Sequence, residues 1–524
     1  MRSRHRSGRG VLLVVALTTI AACSPRLVEV APPTSTWVPT APAESTTTAP
    51  LPTVQVDPSR AAGIGVDRAA DPAGVIEVTP QDDVAAIVAG ADEGAYIRFL
   101  AGEYRGVVIE PKDGMTFVAD PGVTLLGSKP IDGFVAEGSG WVAEAAVTPR
   151  TDPVQGEEWG YCDDDRPACV FPEDLFLDEA ALIRVITEGE VGPGRWFFDT
   201  AEGRIVMGDD PSGHRIELSH APYAFHGQAD GITIAGFRIE RYATPGRQGA
   251  INPRVGRIDG AGIDWSVADN VIRWSHGWGV KLEDGMSVTG NRLESNGQGG
   301  IGGVAENVVV SGNRVTGNCT AGYRCFGWEG GGMKLHVDDA MVTGNLVDGN
   351  LGHGIHTDMG CERVLIDSNF VVDNLGAGIH HEISGEAIIS GNVVTGNGFA
   401  PSRPAEPGIL VLSSSDTEVV DNVVDGNALG IVLRQDDRVT DGILRDVGVY
   451  RNSVRTDAGP AMVLGGSPGE GFQGEWATGI VFDSNNYVFG LGIEAEFRWE
   501  GIPVDVEGWQ AVGNDPGGRF VFNP

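Results

Sequence analysis

Asparagine returns through the second half of this chain at nearly fixed intervals. Asn270, Asn291, Asn313, Asn345, Asn369, Asn392, Asn422 and Asn452 are separated by 21, 22, 32, 24, 23, 30 and 30 residues. Most are followed five residues later by another: Asn296, Asn318, Asn350, Asn374, Asn397 and Asn427. Short β-branched runs such as VVVSG, VLIDS and AIISG lie between them. A segment this short cannot bury its apolar face alone, and stacking successive segments into a solenoid solves that problem. Two asparagine columns per turn, each bonding backbone at a corner, point to an all-β chain folded as a right-handed parallel β-helix. The leucine spacing of a leucine-rich repeat is missing, and Gly and Asn recur too often for helical repeats. The asparagines are structural and carry no chemistry.

A solenoid turns sequence spacing into adjacency. Aligned on a recurrent glycine, the coils read GVKLE (279–283), GMKLH (332–336), GIHTD (354–358), GIHHE (378–382), GILVL (408–412) and GIVLR (430–434). Strand side chains alternate between faces. Met333, Leu335, Ile355, Thr357, Ile379 and His381 therefore point inward, while Lys334, His336, His356, Asp358, His380 and Glu382 form one outward strip facing solvent. Adjacent strands lie roughly 4.8 Å apart, so Asp358 and Glu382 are expected to bring their carboxyl groups to about 5 Å. That is near the roughly 5–5.5 Å of retaining glycosidases and short of the gap that seats an inverting water. The positive charge of Lys334 and His336 would keep Asp358 ionised as nucleophile. Glu382, facing the apolar Leu410 and Leu412, would be the proton donor.

Loop lengths single out the same coils. The second asparagine usually precedes the strand glycine by four residues, but Asn318 precedes Gly332 by fourteen and Asn397 precedes Gly408 by eleven. The insertions CTAGYRCFGWEGG and GFAPSRPAEP would wall a cleft, with Trp328 as a sugar-stacking platform and Glu329 as a further carboxylate. Trp278, Lys281 and Glu283 would extend it into additional subsites. The expected substrate-binding set is Trp328, Glu329, Lys334, His336, His356 and His380, with no metal ligand and no cofactor.

Ahead of the array, Thr79–Ala89 reads as a short capping helix with Thr79 as N-cap and Pro80 in its first turn. The first coils follow within 61–137. Over 138–219 the coil pattern fails and longer alternating strands suggest an inserted β-sandwich-like module. Residues 220–524 form the main β-helix and its C-terminal cap.

The N-terminus speaks to compartment. Arg2, Arg4, Arg6 and Arg9 precede the apolar run 11–22, which is too short to span a bilayer and reads as a signal peptide. Ile20-Ala21-Ala22-Cys23 resembles a bacterial lipobox, which implies cleavage before Cys23 and its lipidation. Residues 23–60 are a Pro/Thr-rich tether, with eight prolines and seven threonines between Ser24 and Pro58; such a segment stays extended. The expectation is a monomer held at the outer face of the cell membrane by a lipid anchor alone. Cys162 with Cys169 and Cys319 with Cys325 are disulfide candidates in that oxidising compartment, leaving Cys361 over, although a bridge from 319 or 325 to 361 stays open. The 37 basic and 72 acidic residues give a net charge of −35, which repels nucleic acid and disfavours a polyuronate substrate.

With Asp358 and Glu382 one coil apart in that order and an interruption at 138–219, the chain resembles right-handed β-helix glycoside hydrolases of families 120 and 141. In family 120 a β-sandwich interrupts the β-helix, and an Asp nucleophile precedes a Glu acid/base by about one coil. The resemblance implies a glycoside hydrolase acting on a poly- or oligosaccharide. The alternatives are a lyase or epimerase on the same fold, using Lys334 or a histidine as base with calcium held by the carboxylates, or a non-catalytic glycan-binding lipoprotein.

Overall fold

The computed structural model describes residues 74–522 apart from 139, 148–154, 157–159, 254–261, 327–329, 402, 438–441, 457–458, 467–475 and 490–496. The signal segment, Cys23 and the tether lie outside the described residues, as do Trp328 and Glu329. Among the described residues no helix is long and apolar enough to cross a membrane.

Three long sheets of 13, 12 and 13 strands run the length of the body, and their coil strands pair in parallel with the equivalent strand of the next coil. The chain is a parallel β-helix. Its interior is built by register. Ile234, Val267, Val288, Val310, Val342, Ile366, Ile389, Val419 and Val449 lie directly opposite one another on successive coils, all fully buried. Each such side chain contributes about 1.5–3 kcal/mol by leaving water.

The asparagines hold the corners. In the first column each backbone N–H, from Asn270 to Asn452, donates to the Oδ1 of the asparagine one coil on. The column runs one coil beyond the sequence reading, to Asn485, and ends on Asp515, whose carboxylate also takes Tyr487 Oη and Trp509 Nε1. The second column runs from Asn296 to Asn427 in the same way. Each ladder asparagine follows a residue with φ between 52° and 71°, such as Gly312, Gly344, Ser368, Asp373 and Gly396. That left-handed turn suits Gly and tolerates short polar side chains, which is why the sequence reads GN, SN or DN at every corner of the ladder except Arg451–Asn452. The strand glycine answers the second column: a Cβ on Gly354 would stand 2.6 Å from Gly378 O and 2.9 Å from Asn374 Nδ2.

The N-terminal helix α1 is Val84–Gly90, and Val84 and Val88 enter the main core. Its N-cap is Asp83, which accepts from Ala86 N at 3.0 Å, not Thr79. Thr79 is instead held in a turn by Asp82, which accepts from both its N–H and its hydroxyl at 2.7 Å. Asp82 thus uses Thr79 for the preceding turn and leaves the cap to its neighbour. A second helix, α2 (Val506–Ala511), buries Trp509 under the C-terminal coils.

The inserted module leaves at Gly127 and returns at His220 and Ala221, whose N–H groups both donate to Gly127 O, at 2.9 and 3.0 Å. It takes in strands from Ser128 onward, before the pattern visibly breaks at 138. A four-stranded and a five-stranded sheet, mostly antiparallel, face each other across their own core, which includes Leu175, Trp196, Phe198, Ile205, Ile216 and Leu218.

Replacing Asn374 by Ala removes the acceptor of both Asn350 N–H and Asn350 Nδ2. Two buried donors stranded in this way are expected to cost about 2–4 kcal/mol in equilibrium denaturation. The half-exposed Ser390→Ala is expected to stay within about 0.5 kcal/mol.

Candidate active site

The strip lies on the 12-stranded sheet, on strands β1 (Trp278–Leu282), β2 (Gly299–Glu306), β3 (Gly331–Asp338), β4 (His353–Asp358), β5 (Ile379–Glu382) and β6 (Pro407–Leu412). Register sets Lys334 opposite His356, His356 opposite His380, and His380 opposite Leu410. It sets Asp358 opposite Glu382, and Glu382 opposite Leu412. Met333, Leu335, Ile355 and Ile379 fill the main core on the other face.

The strip does not face open solvent. Lys334, His356, Asp358, His380 and Glu382 are each 5% exposed or less, and only His336 is half-buried. The cause is a wall the coil alignment could not place. Phe326, from the first inserted loop, packs edge-on against His353, and His353 packs against His356 and His380. Arg403, from the second loop, stacks 4.5 Å over Phe326 and pairs with Asp163 of the inserted module at 3.9 Å. The module is strapped to the first loop by Asp163 N to Gly322 O (2.9 Å), Arg324 N to Tyr161 O (3.0 Å) and Arg324 Nε to Cys162 O (3.0 Å). Disulfides Cys162–Cys169 and Cys319–Cys325 share one small core at this seam. Cys361 is free and buried, its sulfur accepting from Val337 N, so neither alternative bridge to it forms.

His276 fastens the module from below. Its Nε2 donates to Cys169 O at 2.6 Å and its Nδ1 meets Asp174 at 3.0 Å. Burial opposes a charge on this ring, but the Asp174 carboxylate and the Cys169 carbonyl outweigh it and shift the imidazole upward. Beside this pair a cavity of about 450 Å³ separates module from coils, away from the strip.

Within the strip Lys334 Nζ meets Asp358 Oδ2 at 2.6 Å and lies 3.3 and 3.4 Å from the two nitrogens of His356. The two lone-pair directions of an imidazole diverge, so an ammonium nearly equidistant from both nitrogens sits over the ring face. His380 stacks on the other face at 4.1 Å and 10°. His356 is thus sandwiched, and its Nε2 reaches Glu382 Oε2 at 3.1 Å. His380 Nε2 stands 3.7 Å from the same oxygen. Both nitrogens of His380 and Oδ1 of Asp358 are buried without a hydrogen-bond partner.

These histidines are neutral. Burial, then Lys334, pushes His336 and His353 down to about 4 and His356 well below the ordinary value. Burial and the neighbouring His353 and Lys334 do the same to His380, and burial takes His381 down to about 4. The expected positive charge on His336 is therefore absent near neutral pH, because a half-covered ring beside an ammonium cannot hold a proton. Lys334 alone is the cation beside Asp358 within the strip.

Among the described residues two groupings bring possible ligand atoms within 4.8 Å of one another, His353 with His356 and His380, and His356 with Asp358 and Glu382. His353 Nδ1 accepts from Ala377 N at 3.0 Å and its other nitrogen bonds the Phe326 backbone. His356 Nε2 and His380 Nε2 both approach Glu382 Oε2, at 3.1 and 3.7 Å, and Lys334 Nζ stands 2.6 Å from Asp358 Oδ2.

His353 was missed in the sequence because it precedes the aligned glycine, where other coils carry Trp278, Gly299, Gly331 and Pro407. The Trp278 indole lies over Gly299 and Gly302, where an added Cβ would come within 2.1 and 2.7 Å of it, and is only 5% exposed. It closes the strip upstream instead of extending it. Downstream Leu410, Leu412, Ala377 and Val432 form a separate apolar cluster.

Residues 257–427 match the family model described as right handed beta helix region. The fold is a right-handed parallel β-helix. No curated protein sequence matches the chain. Among solved structures, that of XylC in complex with xylose is similar over 79% of this chain and 83% of its own, at 14% identity and a TM-score of 0.59. The mannuronan C-5 epimerase AlgE4 A-module of Azotobacter vinelandii aligns over 84% of this chain and 93% of its own, at 12% identity and a TM-score of 0.45. A β-helix hosts many chemistries, so these likenesses speak to architecture.

The imidazoles make acid stability testable. The folded pKa values of His353, His356, His380 and His381 lie below the unfolded value of about 6.5, so their neutral burial contributes fully above that pH. The contribution is lost as pH falls toward the folded values, about 4 for His353 and His381. Each ring can remove up to about 1.4 kcal/mol per pH unit. Thermal melting is expected to show the midpoint falling steeply between about pH 6.5 and 4, less steeply in His381→Asn; a flat midpoint there contradicts the assignment.

Proposed function

We propose that this chain is a retaining glycoside hydrolase in which Asp358 is the nucleophile and Glu382 the acid/base. The observation that carries the reading is the carboxylate pair: opposite residues on adjacent coils, with oxygens within 4.8 Å of each other, both almost wholly buried. That separation suits direct attack by one carboxylate on a sugar protonated by the other. Their surroundings differ in the sense such a division of labour needs. Asp358 is bound by an ammonium, whereas Glu382 meets neutral imidazoles and faces the apolar Leu412. Burial strengthens both interactions by excluding water.

The chain acts on a carbohydrate presented end-on. The polar strip spans the three coils of β3, β4 and β5, roughly 10–15 Å, between the Trp278 indole and the Leu410–Leu412 cluster. That length seats one or two sugar rings. His380 and Asp358 Oδ1, whose polar atoms are unpartnered, suit sugar hydroxyls, and XylC, which shares the fold, was solved with xylose bound. His336 and His356, with Glu329 and Trp328 from the first loop, complete the binding set. Tethered through a lipidated Cys23, the enzyme works at the outer face of the membrane as a monomer without a cofactor. A lyase or epimerase using Lys334 as base would need it free, and its ion pair with Asp358 at 2.6 Å opposes that role.

The test uses residues 59–524 and a panel of aryl glycosides, with products weighed by mass spectrometry. Products heavier by one water are expected, and a 2-deoxy-2-fluoro glycoside is expected to label the peptide carrying Asp358. Asp358→Asn should abolish both. Glu382→Gln should slow substrates with poor leaving groups by about 10²–10⁴-fold and spare those with good ones in the first step. Unsaturated products without added water would replace this reading by a lyase, and saturable binding without turnover by a glycan receptor.

A further inference from the structure

Glu382 has two tasks in a retaining reaction. It must give a proton to the leaving oxygen, then take one from water. Its partner across the coil is His356, at 3.1 Å. A fixed donor such as an arginine would favour only the ionised carboxylate, and a fixed acceptor only the protonated one. A neutral imidazole can serve either state, because it owns one N–H and one lone pair and the two can exchange places.

We infer that His356, sandwiched between Lys334 and His380 and 3.1 Å from Glu382, is the positioning residue for Glu382, accepting from the protonated carboxyl in one half of the reaction and donating to the carboxylate in the other. The inference rests on the hydrolase reading for its catalytic meaning, but not for its physical content. With Glu382 protonated, the carboxyl O–H donates to Nε2 and the ring hydrogen is on Nδ1. When Asp358 bonds to the anomeric carbon and the glycosidic C–O bond breaks, the Glu382 proton leaves with the departing oxygen. The ring hydrogen then belongs on Nε2, donated to the carboxylate. Water cleaves the glycosyl–Asp358 bond, its hydroxyl goes to the sugar and its proton returns to Glu382. The ring hydrogen goes back to Nδ1. The water that the hydrolysis itself admits, once the leaving group has gone, relays it between the two nitrogens, and the ring's own proton count never changes.

The sandwich is what permits this. Lys334 lies over one face of the ring, and His380 stacks on the other at 10°. The ring can neither swing away from Glu382 nor accommodate a second proton beside the ammonium. The other groups facing the pair are His336 and Lys334 from β3, His353 and Asp358 from the same strand, His380 from β5, and Arg434, whose charge reaches His380. The histidines among them are driven to the neutral form by burial and by Lys334 or one another. Lys334 is already engaged by Asp358. His356 Nε2, in hydrogen-bond range of Glu382 Oε2 at 3.1 Å where His380 Nε2 stands off at 3.7 Å, is therefore placed to answer a proton change on Glu382 without movement.

The deciding experiment titrates the Glu382 carboxyl by ¹³C NMR of glutamate-labelled protein, its signal assigned by its loss in Glu382→Gln. His356→Phe keeps the aromatic stack and removes both nitrogens, and His356→Met is the second apolar replacement should Phe not fold. Either is expected to raise the Glu382 midpoint by at least one pH unit, because the buried carboxylate loses the donor that His356 supplies. His356→Gln, whose amide can turn to donate or accept, is expected to stay within half a unit of wild type. An apolar variant that leaves the midpoint in place overturns the inference. The pH profile of kcat/KM on an aryl glycoside should move its alkaline limb by the same amount. If the wild type hydrolyses no glycoside, the hydrolase reading fails alone, and the titration still decides whether His356 governs Glu382.

Discussion

The asparagine ladder is the interaction everything else stands on. A parallel coil must turn three times, and each turn exposes backbone N–H groups that lie too deep for water. Buried donors left unpaired cost about 1–3 kcal/mol each, and a solenoid repeats that cost in every coil. Here the side-chain amide one coil on satisfies both the main-chain N–H and the amide behind it. The ladder therefore fixes register as well as stability, since a slip of one residue would unpair a whole column. Register is in turn what brings Asp358 to Glu382 and Lys334 to His356.

On this frame the site is assembled from few charges. An acidic protein concentrates one ammonium, two carboxylates and several uncharged imidazoles under a roof of loops. Desolvation keeps the rings neutral, and the single cation pairs with one carboxylate. Asymmetry between the two acids follows from the order of residues along the sheet, without any difference in backbone geometry. The downstream change from His380 to Leu410 and from Glu382 to Leu412 marks where the chemistry stops.

Much of this was legible in the chain. Periodic asparagines gave the architecture, and the GIHTD and GIHHE runs gave the strand register of both carboxylates. Two loop insertions marked where walls would rise. What stayed hidden had physical reasons. Side-chain alternation tells which face a residue takes but not what lies over that face, so the strip read as solvent-exposed when Phe326, Arg403 and the 160–171 segment help bury it. Charge on His336 was misjudged for the same reason, since burial decides it. His353 is a single departure at a position with no repeat pattern. The Thr79 cap yielded to Asp83 because Asp82 competes for Thr79 locally, a contest between neighbours of equal propensity.

The two ends of the inserted module come together at one carbonyl of the solenoid, that of Gly127. Coils before and after it stack as though nothing intervened. Yet the module supplies Asp163 and the 160–171 segment to the wall above the strip. Inheritance can therefore act on the two separately. Lengthening, trimming or recolouring the module alters the wall above the strip, while the register that sets Asp358 beside Glu382 descends unchanged.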